Sequence, residues 1–140
     1  MSLTQINNGD TGLQARTKIN TAFTTIDNLP VPSSTYVQTT NGATTSVATL
    51  AIGTYSAYFV EASVTAFDSS NGLAYGSKMY GTFKKVGSTT SQVSTTDSFE
   101  KSDFSTATSH IIVDTDVKIV VIGEASKTIN WSINYSVTKI

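Results

Sequence analysis

Apolar and polar residues alternate along most of the chain after residue 36, and this period of two predicts β-strands. The last segment, residues 128–140, shows the pattern most clearly, because bulky apolar residues take every second position between polar ones. We expect one face of this strand to lie on a core and the other to face water. Its apolar positions are Ile129, Trp131, Ile133, Tyr135 and Val137.

Six earlier segments carry strand patterns and are separated by short turns rich in Gly, Asn and Asp. The polar stretch 92–104 has no clear period, and we expect one short strand and a loop there. Strands joined by short turns, with no helix between them, pair antiparallel. The predicted fold class is therefore mainly β: an antiparallel β-sandwich or jelly-roll-like domain preceded by one N-terminal α-helix. The six segments are residues 36–40, 45–52, 54–67, 73–86, 109–113 and 117–122.

Before residue 30 the apolar residues are spaced by four and three, which predicts an α-helix over residues 9–29. Asp10 or Thr11 can cap its first turn, because a short side-chain oxygen accepts hydrogen bonds from the free N–H groups there. The spacing creates an apolar seam of the coiled-coil type, and Phe23 widens it. The seam consists of Ala15, Ile19, Ala22, Ile26 and Leu29.

Two prolines follow the seam and define the predicted domain boundary. Pro30 and Pro32 disfavour helical backbone in the residues before them, so we expect the helix to end at Leu29. The proline-containing stretch 30–35 is typical of a stiff, extended linker. The predicted organisation is a helical anchor or oligomerisation segment at residues 1–29, the linker at 30–35 and a β-sandwich domain at 36–140.

The seam has two interpretations. A helix of this length is marginal on its own in water and needs a partner. It either folds back on the β-domain as a lid, or it associates with copies of itself or with another protein. The stiff linker and the strict spacing favour association or docking. The interface would consist of Ala15, Ile19, Ala22, Phe23, Ile26 and Leu29.

The composition limits the classes of partner. Nine basic and ten acidic residues give a net charge of −1 without a basic patch, which argues against nucleic acid. Roughly a third of the residues are Ser or Thr, far above the usual share, so the surface is built from uncharged hydroxyls. The N-terminus lacks a signal-peptide pattern, and no apolar run reaches the roughly 18 residues of a membrane helix. We expect a soluble chain without membrane insertion.

No residue set in the sequence predicts catalysis, a metal or a cofactor. There is no cysteine, and we interpret the single histidine, His110, as a strand residue without catalytic chemistry, although Asp114 and Asp116 are near it in the sequence. Asp114 and Asp116 resemble part of a calcium loop, but an apolar strand follows where the rest of the loop belongs. Other carboxylates lie mostly in or beside turns, where solubility explains them. They are Glu61, Asp68, Glu100, Asp103 and Glu124.

Six aromatic residues are the candidate ligand contacts, because aromatic faces stack on the C–H surfaces of carbohydrates. They are Tyr55, Tyr58, Tyr75, Tyr80, Trp131 and Tyr135. Trp131 and Tyr135 share a strand face with isoleucines, so we expect them in the core. Tyr55 and Tyr80 do not share such a face, and we assign them as possible contacts to a sugar.

Several motifs carry a family resemblance that covers nearly the whole chain. The β part contains Y-x-x-x-A-x-V-x-A at residues 58–66, Y-G-T-F-K-K at 80–85 and T-I-N-W…V at 128–137. The N-terminal pattern G-D-x-G…R-x-K-I-N-x-x-F is formed by Gly9, Asp10, Gly12, Arg16, Lys18, Ile19, Asn20 and Phe23. In these motifs the chain resembles bacteriophage virion structural proteins of the tail, fibre or head-decoration type.

The resemblance implies a non-enzymatic, homotrimeric virion component whose N-terminal helix docks it onto the particle. Fibres of this family usually carry a long shaft and a tip, whereas one β-domain follows the helix here. A short fibre, a decoration protein or an adaptor is therefore expected. Its partners would be its own copies and other virion proteins, and its location the virion, assembled in the host cytoplasm. The alternative is a receptor-binding module for a host-surface glycan.

Overall fold

The fold was examined in a computed structural model that describes residues 6–27, 31–94 and 97–139, with the backbone alone at 24–27, 31–32 and 97–98. The predicted fold class is confirmed: one N-terminal helix is followed by antiparallel sheets that pack against each other. The chain divides into two compact units between Pro30 and Val31. The helix belongs to the first unit and all described strands belong to the second, which we call the β unit.

The helix α1 spans Gly12–Asp27 and so begins directly after Thr11, while its predicted end at Leu29 lies outside the described residues. Thr11, one of the two predicted caps, accepts a hydrogen bond from the Gln14 N–H at 3.3 Å and donates its own N–H to Gln14 Oε1 at 2.8 Å. This reciprocal pair is a capping box. Asp10, the other predicted cap, accepts instead from Lys18 Nζ at 2.7 Å. No helix in the described part of the chain is long and apolar enough to span a membrane.

Nine strands are present in the described residues of the β unit. They are β1 Val31–Thr39, β2 Thr44–Leu50, β3 Ser56–Asp68, β4 Leu73–Val86, β5 Thr89–Gln92, β6 Asp97–Ser102, β7 Thr108–Val113, β8 Val117–Ile122 and β9 Ile129–Lys139. A large sheet has the order β1-β9-β3-β4-β5, with β6 also paired to β4, and a small sheet has the order β2-β8-β7. All described pairs are antiparallel. The short strand expected within 92–104 is β6, whereas β5 was not predicted.

The alternating residues of both sheets meet in one hydrophobic core. Trp131 on β9 is buried as predicted, and its ring meets the Tyr75 ring edge-on with centroids 5.2 Å apart. Its indole Nε1 donates to Thr39 Oγ1 at 2.9 Å, so the one polar atom of this side chain is satisfied. Tyr135, also expected in the core, is half-buried and packs against it. The continuous apolar run of β8 is almost wholly buried.

The predicted linker is wrong for residues 31–35, which form the first half of β1 and pair with β9. Pro32 lies opposite Ser136 in this ladder. Because β1 is the outermost strand of the large sheet, a proline is tolerated there, where not every backbone N–H has a neighbouring strand to bond. Pro30 lies outside the described residues. The β unit therefore begins about five residues earlier than the predicted domain start at Tyr36.

A buried hydrogen-bond cluster joins the two sheets. The Tyr75 hydroxyl on β4 lies 2.8 Å from Ser109 Oγ on β7, and Ser109 Oγ lies 2.7 Å from Ser77 Oγ. Tyr75 also donates to Glu100 Oε2 on β6 at 2.7 Å. Burial raises the pKa of the Tyr75 phenol. Within the described residues, every fully buried side-chain nitrogen or oxygen has a hydrogen-bond partner.

Gly123 lies where two chain segments of the β unit approach each other closely. A methyl group at this position would overlap the carbonyl oxygen of Asn41 and the side chain of Thr39, whose Cβ would lie 2.9 Å away. The same Thr39 holds the Trp131 indole. Glycine at position 123 therefore leaves space for Thr39, whose hydroxyl accepts the hydrogen bond from the Trp131 indole.

Candidate functional site

The seam of α1 is the first candidate site. A rotation of about 100° per residue brings its members to one side of the helix. On this side Ile19 is 42% exposed and Phe23 is 61% exposed, while the two alanines are half-buried. The Ile26 side chain and the whole of Leu29 lie outside the described residues. We call the described part the apolar stripe: Ala15, Ile19, Ala22 and Phe23.

The other side of α1 satisfies its polar groups locally. Thr17 Oγ1 donates to the Leu13 carbonyl at 3.0 Å, and Thr21 Oγ1 donates to the Thr17 carbonyl at 2.9 Å. The hydrogen bond from Lys18 to Asp10 holds the pKa of that carboxyl below its usual value. These groups bond within the segment, whereas Ile19 and Phe23 of the apolar stripe are exposed.

Leu13 is 70% exposed and was not predicted as a site residue. It stands off the apolar stripe, because residues four and seven positions further along are Thr17 and Asn20. A single exposed leucine of this kind is common on protein surfaces. It therefore adds no second apolar side to the helix.

Tyr55, a predicted ligand contact, lies in the turn before β3 and is 79% exposed. Its φ of 58° is in the left-handed region, which is uncommon for a residue with a bulky side chain. It borders a cavity of about 480 Å³ together with Lys84, Lys85 and Lys139. Tyr55 thus belongs to a basic corner at one end of the large sheet.

Tyr80, the other predicted ligand contact, points outward from the middle of β4. It lies opposite Glu61 on β3, and its ring is 6.3 Å from the Phe59 ring. Ser56, which follows Tyr55, pairs with Lys85, five positions along β4 from Tyr80. At about 3.4 Å per residue this places the two predicted contacts roughly 17 Å apart. The structure does not bring Tyr55 and Tyr80 together in one site.

A groove that was not predicted crosses β9 on the outward face of the large sheet. It has a volume of about 240 Å³ and lies between Tyr36 on β1 and Phe67 on β3, which are 77% and 50% exposed. The alternating pattern did contain the signal, since Phe67 shares its strand face with polar Thr65 and not with the core residues. The side chains that form this outer groove are Tyr36, Thr65, Phe67, Asn130 and Ser132.

Most of the carboxylates considered for catalysis are engaged in local structure. Glu124 Oε2 accepts the backbone N–H groups of Ser105 and Thr106 at 2.8 and 3.0 Å, and these bonds lower its pKa, that from Thr106 most. Asp68 accepts hydrogen bonds from the β3–β4 turn, chiefly the Asn71 side-chain amide, which lowers the pKa of its carboxyl.

Two further carboxylates near the sheet surfaces are also paired. Glu61 lies 2.9 Å from Lys78 on the outward face of the large sheet. Asp114, considered above as part of a calcium loop, lies 2.9 Å from Lys118, whose hydrogen bond lowers the pKa of that carboxyl. Within the described residues, no group of three metal-binding side chains was found.

Comparison with known proteins leaves the family open. No protein-family model matches the chain, and no curated protein matches it either. Function is therefore argued from the helix, the two sheets and the sequence motifs.

Proposed function

We propose that this protein is a non-enzymatic structural component of a bacteriophage virion, of the short-fibre, decoration or adaptor type. It assembles as a homotrimer, docks to the particle through its N-terminal helix and displays the β unit. The observation that carries the proposal is the apolar stripe on α1. Family and particle location rest on the sequence motifs described above.

The helix needs a partner for thermodynamic reasons. Its 16 residues make a rod of about 24 Å, a length at which an isolated helix is only marginally stable in water. Ile19 and Phe23 remain exposed in the single chain. Full burial of each side chain contributes about 1.5–3 kcal/mol, which supplies a driving force for association. The small Ala15 and Ala22 let a second helix approach closely along the same side.

The β unit is suited to display because it completes its own core. All the buried hydrophobic residues in the described part of the chain lie between Leu50 and Ile133, within the β unit. The outward positions of β9 in the large sheet are all hydroxyl or amide side chains, as expected for a surface in water. Removal of the helix therefore takes no residue out of this core.

The trimer is tested by light scattering and sedimentation on the full chain at micromolar concentration. We expect the wild-type protein to be a trimer and Ile19→Asp to be a monomer, because a charge in the stripe opposes burial. Thr17→Asp places the same charge on the other side of α1 and should remain trimeric. A monomeric wild-type protein, or equal dissociation of both variants, would overturn self-association.

The docking role is tested in assembled particles. A chain lacking residues 1–29 should fold but fail to enter the particle, since it lacks the apolar stripe. Quantitative mass spectrometry of purified particles measures incorporation, and circular dichroism of the truncated chain checks its fold. Incorporation at the wild-type level would rule out the helix as the anchor.

A further inference from the structure

The outer groove combines features that a sugar-binding site requires, and its lining contains no residue of the helix on which the proposed function depends. In the strand register Tyr36 lies opposite Ser132, and Ser132 lies opposite Thr65. Asn130, which lies two residues before Ser132 on β9, is opposite Phe67 on β3. The two aromatic side chains therefore stand on either side of β9, with a polar floor between them.

The spacing of the aromatic walls fits a sugar ring. Tyr36 and Phe67 are separated by two inter-strand steps of about 4.8 Å, so their strands lie about 10 Å apart. A pyranose ring placed over β9 can lay its C–H face against one of these side chains. Both are largely exposed, so this contact would remove apolar surface of both partners from water.

The floor of the groove offers oriented hydrogen-bonding groups. The Asn130 and Gln38 amides are joined by a hydrogen bond of 2.8 Å from Gln38 Nε2 to Asn130 Oδ1. The Asn130 amino group then has no hydrogen-bond partner among the described residues. If both amides are flipped, the pair still offers a carbonyl oxygen and an amino group to a ligand. The hydroxyls of Ser132 and Thr65 lie beside this amide pair. Donors and acceptors are thus present for the hydroxyls of a sugar.

The charge of the groove selects the class of ligand. None of its five side chains has a carboxylate, ammonium or guanidinium group. The ion pair between Glu61 and Lys78, further along the same face, has no net charge. Three lysines lie instead at the basic corner beside Tyr55. An uncharged ligand therefore matches the outer groove, and an anionic one does not.

We propose that the outer groove binds a neutral saccharide, stacked on Tyr36 or Phe67 and hydrogen-bonded to Asn130 and Ser132. A second copy of the chain is the competing occupant. Stable protein interfaces usually have an apolar centre, whereas the centre of this groove is amide and hydroxyl. A shallow site of this kind binds each sugar weakly, and several copies on one particle would raise the overall affinity.

The proposal is tested with the full chain on an array of neutral, sialylated and sulfated oligosaccharides, and on immobilised mannan, dextran and galactan. We expect binding to at least one neutral glycan, with at least about a tenfold loss of affinity in Tyr36→Ala and in Phe67→Ala. Tyr36→Phe keeps the stacking ring and should bind nearly as the wild type does. Tyr55→Ala removes an equally exposed tyrosine outside the groove and should bind normally.

Emission from the single tryptophan, Trp131, which is buried beneath the groove, confirms that each variant is folded. Absence of binding to every neutral glycan, or binding restricted to sulfated or sialylated glycans, would overturn the proposal. So would a loss of binding in Tyr55→Ala equal to that in Tyr36→Ala. Dissociation of the oligomer by Tyr36→Ala or Phe67→Ala would identify the groove as a contact between copies and also overturn it. Glycan binding is measured separately from trimer formation and particle docking, so failure of this proposal can be distinguished from failure of the proposed function.

Discussion

The two units of the chain differ in how they obtain their stability. In the β unit, side chains such as Trp131, Phe83 and Ile119 have almost no accessible surface. In the helix, no described side chain is buried, and Ile19 and Phe23 are exposed. The β unit therefore carries its stabilising contacts within itself, whereas the described helix has no buried side chain to supply such contacts.

The contrast begins with residue size. In β9 the inward positions hold large side chains at every second residue, so one strand covers a wide area of core. In α1 the stripe alternates large residues with alanines, which bury little surface by themselves. Alanine has a high helix propensity and allows close helix contact. The helix sequence thus favours local structure and association over an independent core.

The largest loss of stability should come from Gly123→Ala, which tests whether the β unit depends on the close approach at Gly123. The added methyl group overlaps the Asn41 carbonyl and the Thr39 side chain. We expect a loss of about 3 kcal/mol in the free energy of unfolding, near the upper end of typical overpacking effects. Thermal unfolding followed by Trp131 emission should show a midpoint roughly 10–15 °C lower.

Gly76→Ala is the matched control, because a methyl group at Gly76 meets no atom within 4 Å. This position lies in β4, where glycine weakens a strand, so the midpoint should stay constant or rise slightly. Equal destabilisation by both substitutions would show that the close approach at Gly123 is not the cause.

A smaller effect is expected for Tyr75→Phe, which removes one hydroxyl from the cluster between the sheets. Loss of its bonds to Ser109 and Glu100 should cost about 1–2 kcal/mol. Burial raises the pKa of Tyr75 in the folded state, so its stabilising contribution is present below about pH 10 and declines as the pH rises through the folded-state value. Urea unfolding at about pH 8 and about pH 11 should therefore show a steeper alkaline decline for the wild type than for Tyr75→Phe. Equal declines would contradict a buried, protonated phenol.

The smallest effect should come from Thr11→Ala, which tests the helix and not the core. Loss of the cap should destabilise α1 by about 0.5–1 kcal/mol and leave the unfolding midpoint of the β unit unchanged. Hydrogen exchange should become up to about fivefold faster at the helix amides alone. Thr17→Ala is the control, since alanine favours the helix interior and should not speed exchange there. Faster exchange in β9 of Thr11→Ala would mean that the two units do not unfold separately.

The fold could be predicted where the alternating pattern was strong. The predicted bounds of β4 and β8 agree with the structure, and β9 was recognised from its five large apolar positions. The errors fall where a local signal competes with pairing. Pro32 indicated a linker, but an edge strand accepts proline, so the pairing with β9 extends through it. The strand β5 has only four polar residues and depends on β4 for its hydrogen bonds, so no apolar pattern indicated it.

The candidate sites were less predictable, because each depends on strands that are distant in the sequence. Tyr55 and Tyr80 were selected for lacking an apolar face, yet the register places them far apart. Tyr36 and Phe67 are 31 positions apart and meet only because β9 pairs with both of their strands. The alternating pattern of one strand predicts which of its side chains share a face, but it does not predict which strand will pair with it. The cap at Thr11, in contrast, involves only Gln14, three residues away, and Thr11 was one of the two caps predicted from the sequence.

The hydroxyl-rich outward face of the large sheet has a consequence for behaviour in salt. Charged residues make up only 14% of the chain, and the Glu61–Lys78 pair on this face is open to solvent. At physiological ionic strength, interactions between exposed charges are screened beyond about 8 Å. Binding through such charges therefore weakens as the salt concentration rises and strengthens as it falls. The outward positions of β9 are Asn130, Ser132, Asn134, Ser136 and Thr138, and this strip has no charge to screen. Contacts made there should keep nearly the same strength in dilute and in concentrated salt.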